Sequence, residues 1–524
     1  MNIVNETSVL VNPLNIKTDT YYKGALFISF LIGIAFRIYH LFIIGFEIPF
    51  NLGGLFYQMT IEIIRNGFFL PSLIPYYYPG GLPFAYPPLP FYIQAAPIKL
   101  FSPDMFVTVN ALPPFISVLS LFAFFFLAQK AIKNKVGIVA AVFSFSIIPI
   151  AFTEQIEAMG LSESIGTLSL ILYTFTLLWA RDKEQNSFWI IPGIALGLCV
   201  MSGPGSIYAS ILISVLFLGI SIADFLINKN SQFLIACFIV GSAGIFVSSP
   251  YWGTVISNHG LGIFINPFTA QNSRVFRDFL QNAFHLRLIY CSPYWNVLFL
   301  FGLLATLIKR QYSLILYSIV LLPIPRENWI MSIPASLLIG IGIVYLLDLL
   351  RSIPKINNNL LKVAVIWTMI LFFGFDSGSN LLFLINDDTY DISAVQIDDL
   401  EKINESNLIP ADQYVAVIGN WGLIEWSPAL LKRTVINNPF GLEWLPDRNE
   451  KNILLSENLL QYTSPAMIME SIQEDFPDIN RIYIVAEQEY LVQLKDSGSK
   501  NRVVYKLLKG YDSLGLGLIC VQNR

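Results

Sequence analysis

The sequence is poor in charge. Asp, Glu, Lys and Arg make up 13% of its 524 residues, about half the usual share in a soluble domain. It has three His and four Cys. Cys199, Cys237, Cys291 and Cys520 are widely scattered, which gives neither a metal-binding spacing nor a disulfide framework. There is no P-loop, which argues against an ATP-driven pump, and no Gly-rich dinucleotide fingerprint. No Asp-x-Asp nucleotide-sugar signature is present, and no basic stripe that would mark a nucleic-acid partner. No internal repeat or low-complexity tract interrupts the chain.

What the chain has instead is apolar length. It is 55% hydrophobic with a mean hydropathy of +0.60, which reads as a polytopic membrane protein. Apolar runs near the length needed to cross a bilayer fall at about 23–45, 109–129, 136–153, 160–180, 187–203, 205–228, 232–252, 293–308, 311–325, 328–350 and 360–378, about eleven in all. Met1–Tyr22 is polar and the first apolar run is long enough to span, so that run is expected to stay as an anchor. If the N-terminus is cytoplasmic, the inner segments hold 13 Lys/Arg and the outer loops before the tail hold 6, in line with the positive-inside rule. Eleven crossings then put the C-terminal segment outside. Residues 1–379 are read as the membrane domain, with a structured first outer loop at 46–108. Residues 380–524 hold 21 of the 36 acids and 12 of the 32 basic residues, so their net charge is 12 − 21 = −9. They are read as a small α/β domain on the outer face. Its strands are expected at Tyr414–Ile418, Arg481–Ala486, Val503–Leu508 and Leu516–Val521, and its helices over 452–474 and 488–497.

The first outer loop is apolar and aromatic, yet broken by Pro49, Gly53, Gly54, Gly67, Pro71, Pro79, Gly80, Gly81, Pro83, Pro87 and Pro88. No continuous helix passes through so many breakers. A short amphipathic helix is expected over Gly54–Asn66, and a dipping or surface helix over Pro87–Phe101. Tyr76, Tyr77, Tyr78 and Tyr86 suit a membrane interface, where an aromatic body meets a polar tip.

This loop carries a resemblance. An acid just past span one (Glu47), then GGLFY, NGF-x-LP, a Tyr-rich turn and PFAYPPL-x-FY resemble the GT-C glycosyltransferases, more narrowly the prokaryotic family 39-like integral membrane enzymes. His259-Gly260 and the segment Glu425–Asp447, with Glu-Trp, Pro-Ala-Leu and Gly-x-Glu-Trp-Leu, are similar to the same subfamily. The resemblance implies transfer of a sugar from a polyprenyl-phosphate carrier, using a carboxylate in the first loop as base. The family pattern has an Asp shortly before Gly-Gly, where this chain has Asn51-Leu52. Either Glu47 takes over that role or the chemistry is lost.

Each candidate also has a plainer reading. Glu47 is a base or a solvated loop acid. Glu154 and Glu157, with Glu163, crowd the second outer loop, either as helix-start acids favoured by the dipole or as catalytic helpers. The cofactor reading stays open between none and a divalent metal ion held by Glu47, Glu154 and Glu157, which would need oxygen ligands converging from both loops. Arg326, Arg274 and Arg277 are candidates for the donor phosphate, which a guanidinium binds bidentately, the plainer reading of Arg326 being a turn salt-bridged to Glu327. His259 is a further phosphate contact or a packed or solvated side chain. Arg37, inside span one, is expected to snorkel or to pair within the bundle. Asn51, Tyr57, Tyr86, Glu425 and Trp444 are read as acceptor-binding or loop-shaping. The partners implied are the polyprenyl-phosphate donor, membrane lipid and a glycan, lipid or protein acceptor. The rival reading is a non-enzymatic transporter or lipid-binding scaffold. Charges gathered in the outer loops rather than at mid-bilayer favour the enzyme.

Overall fold

The structure, a computed structural model, describes residues 16–46, 48–101, 105–183, 185–264, 293–321, 328–351, 374–376, 378–379, 382, 392–459, 461–462, 464–487, 490–491, 503–507 and 515–523. The chain is a mostly helical, polytopic bundle followed by a small α/β domain. Its membrane part runs α1 (Ile16–Ile43), α2 (Gly54–Arg65), a two-residue hairpin β1 (Leu73–Ile74) and β2 (Leu82–Pro83), α3 (Leu89–Phe101), α4 (Met105–Ala131), α5 (Lys135–Ile147), α6 (Thr153–Ile156), α7 (Leu161–Arg181), α8 (Ile190–Ser202), α9 (Pro204–Asn228), α10 (Gln232–His259), α11 (Pro293–Ile308), α12 (Tyr312–Leu321) and α13 (Asn328–Arg351).

Among the described residues six helices are long and apolar enough to cross a membrane, or seven if one bent pair counts as a span. Three shorter apolar helices, Asn186–Ser202, Tyr294–Ile308 and Tyr312–Leu321, fall on further expected runs. Most of the run 360–378 lies outside the described residues. The central helix is α13, whose apolar stretch Trp329–Leu349 is 89% buried. Its small residues let neighbouring backbones approach closely, as membrane helix contacts favour. A methyl group on Gly340 would stand 2.5 Å from the Gly137 carbonyl of α5, and one on Gly302 of α11 would stand 2.1 Å from the Leu338 carbonyl.

One expected span is not straight. The run 136–153 ends as a helix at Ile147, and the chain then bends by 84° at Pro149 before α6. Proline has no N–H to continue the ladder and restricts the residue before it. The break leaves backbone carbonyls without helical partners among membrane helices, where they need an internal donor. Arg37 of α1 supplies it. Its Nη2 donates to the carbonyls of Phe145 and Ala151, its Nη1 to those of Ser146 and Gly33, and its Nε to Ser117 Oγ. All five guanidinium N–H groups are thus used on neutral oxygens. The cation also lies 5.6 Å from the ring centroids of Phe145 and Phe152. Of the two sequence-based options for Arg37, the structure shows pairing within the bundle. Ser117 Oγ in turn donates to Gln155 of α6, and Gln155 donates to Thr167 of α7, so the bent segment is tied to three helices.

The C-terminal domain comprises α14 (Ala394–Glu405), β3 (Tyr414–Ile418), α15 (Trp421–Leu431), β4 (Thr434–Val435), α16 (Pro446–Leu459), α17 (Pro465–Asp475), β5 (Arg481–Glu487), β6 (Val503–Leu507) and β7 (Leu516–Asn523). The sheet order is β4-β3-β5-β7-β6; β3 is parallel to β4 and β5, and β7 is antiparallel to β5 and β6. Alternate residues face opposite sides. Val415, Val417, Tyr483 and Val485 pack with α14 and α15, whereas Ala416, Ile418, Ile482 and Ile484 pack with α16 and α17. The four expected strands form. The helix expected over 452–474 is two helices, because Ser464 caps a new start by accepting from the Met467 N–H and Pro465 opens it. Most of the helix expected over 488–497 lies outside the described residues. The face under α15 also takes in Phe106, Val109 and Ala158 of the membrane part, so the two parts share one core.

Substituting Arg37 is expected to unfold the bend. Leaving buried carbonyls unsatisfied costs about 1–3 kcal/mol each, so Arg37→Met should lower stability by about 3 kcal/mol or more. Arg37→Lys, with three donors instead of five, should fall between that variant and wild type. Thermal unfolding of the detergent-purified protein measures both; wild-type stability in Arg37→Met would contradict this role.

Candidate functional site

The first outer loop is organised around the start of α2. A helix begins with N–H groups that have no partner in their own chain segment. Here the residue before the helix is Gly53, which has no side chain to cap them. The cap comes from α15 of the C-terminal domain. Glu425 is 1% exposed. Its Oε2 accepts from the N–H groups of Gly53 at 3.1 Å and Gly54 at 2.6 Å, and its Oε1 accepts from Leu55 at 2.6 Å. The positive end of the helix dipole favours a carboxylate there. Burial pushes the Glu425 carboxyl up, while the three N–H donors act in the opposite direction. The neighbouring Trp426 donates from Nε1 to the Asn51 carbonyl at 3.4 Å, and its ring meets Tyr57 and Phe106.

This contact accounts for the Gly-Gly pair. A Cβ on Gly54 would lie 2.8 Å from Trp426 Cα and 2.9 Å from both the Glu425 carbonyl and its Oε2; one on Gly53 would lie 2.9 Å from the Ala158 methyl. No larger residue fits without moving α15 or the second outer loop.

The tyrosines expected at a membrane interface meet the C-terminal domain instead. Tyr77 is fully buried and donates to the Glu425 carbonyl at 3.0 Å. The Tyr76 carbonyl accepts from the Val435 N–H at 2.9 Å. The rings of Tyr78 and Phe476 are 6.2 Å apart, and Tyr86 meets Trp444 edge-on at 6.1 Å. An aromatic body with a polar tip suits a protein interface as well as a lipid one, and here the tail's backbone supplies the partners. Trp444 is buried with Ala85, Tyr251, Val255 and Ile263.

Just after the expected base, the loop is fixed by neighbouring elements. Asn110 of α4 donates from Nδ2 to the Ile48 carbonyl at 2.6 Å and accepts at Oδ1 from the Phe50 N–H at 3.0 Å. Phe50 stacks on the buried His40, and its carbonyl accepts from the Ala158 N–H of the second outer loop. The two outer loops therefore meet. Asn51 adopts a left-handed conformation, φ +68°, which Asn tolerates better than most residues. Glu154 lies in α6, Glu157 just after it and Glu163 in the first turn of α7, all half-buried. Glu47, Arg326, Arg274 and Arg277 lie outside the described residues. Among the described residues no three His, Cys, Asp or Glu side chains form a group able to hold a metal. His259, at the end of α10, is bonded through Nε2 to the Ser72 carbonyl at 2.8 Å, so this nitrogen holds the loop. Asn110 and His40 escaped the sequence reading; the one available signal was a lone polar residue inside an apolar run.

Replacing Gly54 tests the fit. Gly54→Ala should destabilise by about 1–3 kcal/mol, because the atoms it meets are largely backbone. Gly253→Ala, which meets nothing within 4 Å, should leave stability unchanged or slightly higher. Equal unfolding midpoints for the two variants would contradict the close approach.

No protein-family model matches the chain. Solved structures do. The archaeal oligosaccharyltransferase AglB from Archaeoglobus fulgidus, in complex with an inhibitory peptide and a dolichol-phosphate, superposes with a TM-score of 0.58 at 14% identity, covering 92% of this chain and 72% of that one. ArnT from Cupriavidus metallidurans bound to undecaprenyl phosphate gives 0.58 at 10% identity, covering 97% and 98%. The mycobacterial arabinofuranosyltransferase AftD gives 0.54 at 12% identity, covering 98% of this chain and 42% of that one. All three are GT-C membrane glycosyltransferases, and the chain shares their fold.

Proposed function

We propose that this chain is an integral membrane glycosyltransferase that moves a sugar from a polyprenyl-phosphate donor to an acceptor on the outer face of the membrane. The observation that carries the reading is the loop between the first two spans. It is built from breaker-rich sequence and held at the start of α2 by Glu425, at Ile48 and Phe50 by Asn110, and against the second acidic loop by Ala158. Such bracing holds reacting groups in place, as transfer chemistry requires. Support for a lipid-linked donor comes from the fold shared with proteins solved with dolichol-phosphate and undecaprenyl phosphate. The Lys/Arg bias supports a cytoplasmic N-terminus and an extracytoplasmic tail.

In this reading Glu47 takes the proton of the acceptor hydroxyl. The acceptor oxygen attacks the anomeric carbon from the face opposite the phosphate, and the sugar–phosphate C–O bond breaks with its electron pair leaving on polyprenyl phosphate. Arg326, Arg274 and Arg277 are assigned to the phosphate and Glu154 and Glu157 to orienting the acceptor, while His259, engaged by the Ser72 carbonyl, keeps the loop in place. If a divalent ion takes part, Glu47, Glu154 and Glu157 would hold it, and it would supply charge stabilisation to the leaving phosphate. A non-enzymatic transporter or scaffold on the same frame is the competing reading.

A transfer assay with polyprenyl-phosphate sugars separates them. Glu47→Gln keeps shape but cannot accept a proton, and should lower transfer by about two to four orders of magnitude with donor still bound. Full activity in this variant removes Glu47 as base. If activity rises in Asn51→Asp while Glu47→Gln stays active, the acid belongs at position 51. Donor binding without transfer by any of these proteins, over a range of acceptors, favours the scaffold.

A further inference from the structure

At the far end of α2 lies a groove of about 540 Å³, lined by Glu62, Arg65, Asn66, Ser72, Leu73 and Asn258 among others. It is built from two elements. One wall is the last turn of α2 and the loop leading to the hairpin; the other is the end of α10. The His259–Ser72 hydrogen bond joins the walls, and the same Ser72 carbonyl accepts from the Phe84 N–H. Asn66 Nδ2 donates to the Phe69 carbonyl and fixes the turn after the helix. Glu425 anchors the opposite end of this 12-residue helix, roughly 18 Å away at helical rise.

The charges of this groove cancel. Arg65 Nη1 donates to Glu62 Oε1 at 2.7 Å, and Gln58 Nε2 donates to the same oxygen at 2.8 Å. A site for a phosphate or carboxylate would leave its guanidinium uncompensated. This one instead presents planar groups, a carboxylate–guanidinium pair and two side-chain amides, which suit adjacent hydroxyls with paired donors and acceptors. The exposed Leu73 adds a small apolar contact for the C–H face of a sugar ring. We infer that the groove between α2 and α10 is a carbohydrate subsite for a neutral saccharide, a sugar of an extended glycan acceptor lying away from the hydroxyl that reacts. This rests on the transferase reading above, and it narrows the acceptor to a glycan.

The test uses the full-length protein in lipid nanodiscs and saturation-transfer NMR with methyl glycosides of glucose, galactose, mannose and arabinose, with inorganic phosphate as a competing anion. At least one glycoside should bind wild type. Asn258→Ala and Glu62→Gln should each weaken that binding by roughly three- to tenfold, the loss of about one hydrogen bond, and phosphate should not compete. The inference is overturned if no glycoside binds, if binding is unchanged in both variants, or if phosphate displaces the sugar. Polyprenyl-phosphate binding is measured on the same nanodiscs. Donor binding with no glycoside binding sinks the subsite alone, whereas absence of donor binding counts against the transferase reading itself.

Discussion

The structure depends on one borrowed cap. Helix α2 starts at a Gly-Gly pair that offers no side chain to its own N–H groups, and Glu425, about 370 residues further along, accepts all three that point at it. Neither partner is stable alone in this form. The helix start would be left with unsatisfied donors, and Glu425 would be a buried carboxylate without donors, which is expensive. The arrangement fixes where the first outer loop sits, and through Asn51, Tyr57 and Tyr77 it fixes which face of that loop meets the C-terminal domain. The domain is thereby packed into the first outer loop rather than appended to the bundle.

The same logic recurs at the second outer loop. There Pro149 breaks α5, and Arg37 from α1 supplies donors to the carbonyls that the break exposes. In both places a polar group from a distant element permits irregular backbone between spans. Such backbone is what brings the first and second loops into contact at Phe50 and Ala158. Long straight helices could not place two acid-bearing loops side by side.

Much of the fold was legible in the sequence because its signals are local. Apolar length marked the helices, the density of Pro and Gly marked the first loop, and short strand-like apolar runs marked β3, β5, β6 and β7. The helix expected over Gly54–Asn66 followed from amphipathic spacing and the Asn66-Gly67 breaker; it forms as Gly54–Arg65, and Gly67 takes a left-handed φ of +65°. What escaped were long-range choices. The tyrosines at 76–78 have the composition of a membrane interface, and only the fold reveals that a protein surface covers them. Pro149 was visible, yet the run around it is apolar enough to pass as a straight span. Glu425 was noticed for its company, Trp426, rather than for its task. The signal for that task was negative: a helix opening on Gly-Gly without Ser, Thr, Asp or Asn before it has to find its cap elsewhere.

The most direct test of this account is amide hydrogen exchange across residues 53–66 in wild type and in Glu425→Gln, in the same membrane mimic. Gln keeps the shape but offers one carbonyl oxygen in place of two charged ones, a loss of about 1.5–3 kcal/mol for a charge-assisted contact. Exchange at Gly53, Gly54 and Leu55 should rise by roughly ten- to a hundredfold, with smaller increases down the helix, while α13 keeps its protection. Unchanged exchange at those three amides would show that α2 holds its start without the C-terminal domain, and would contradict the account.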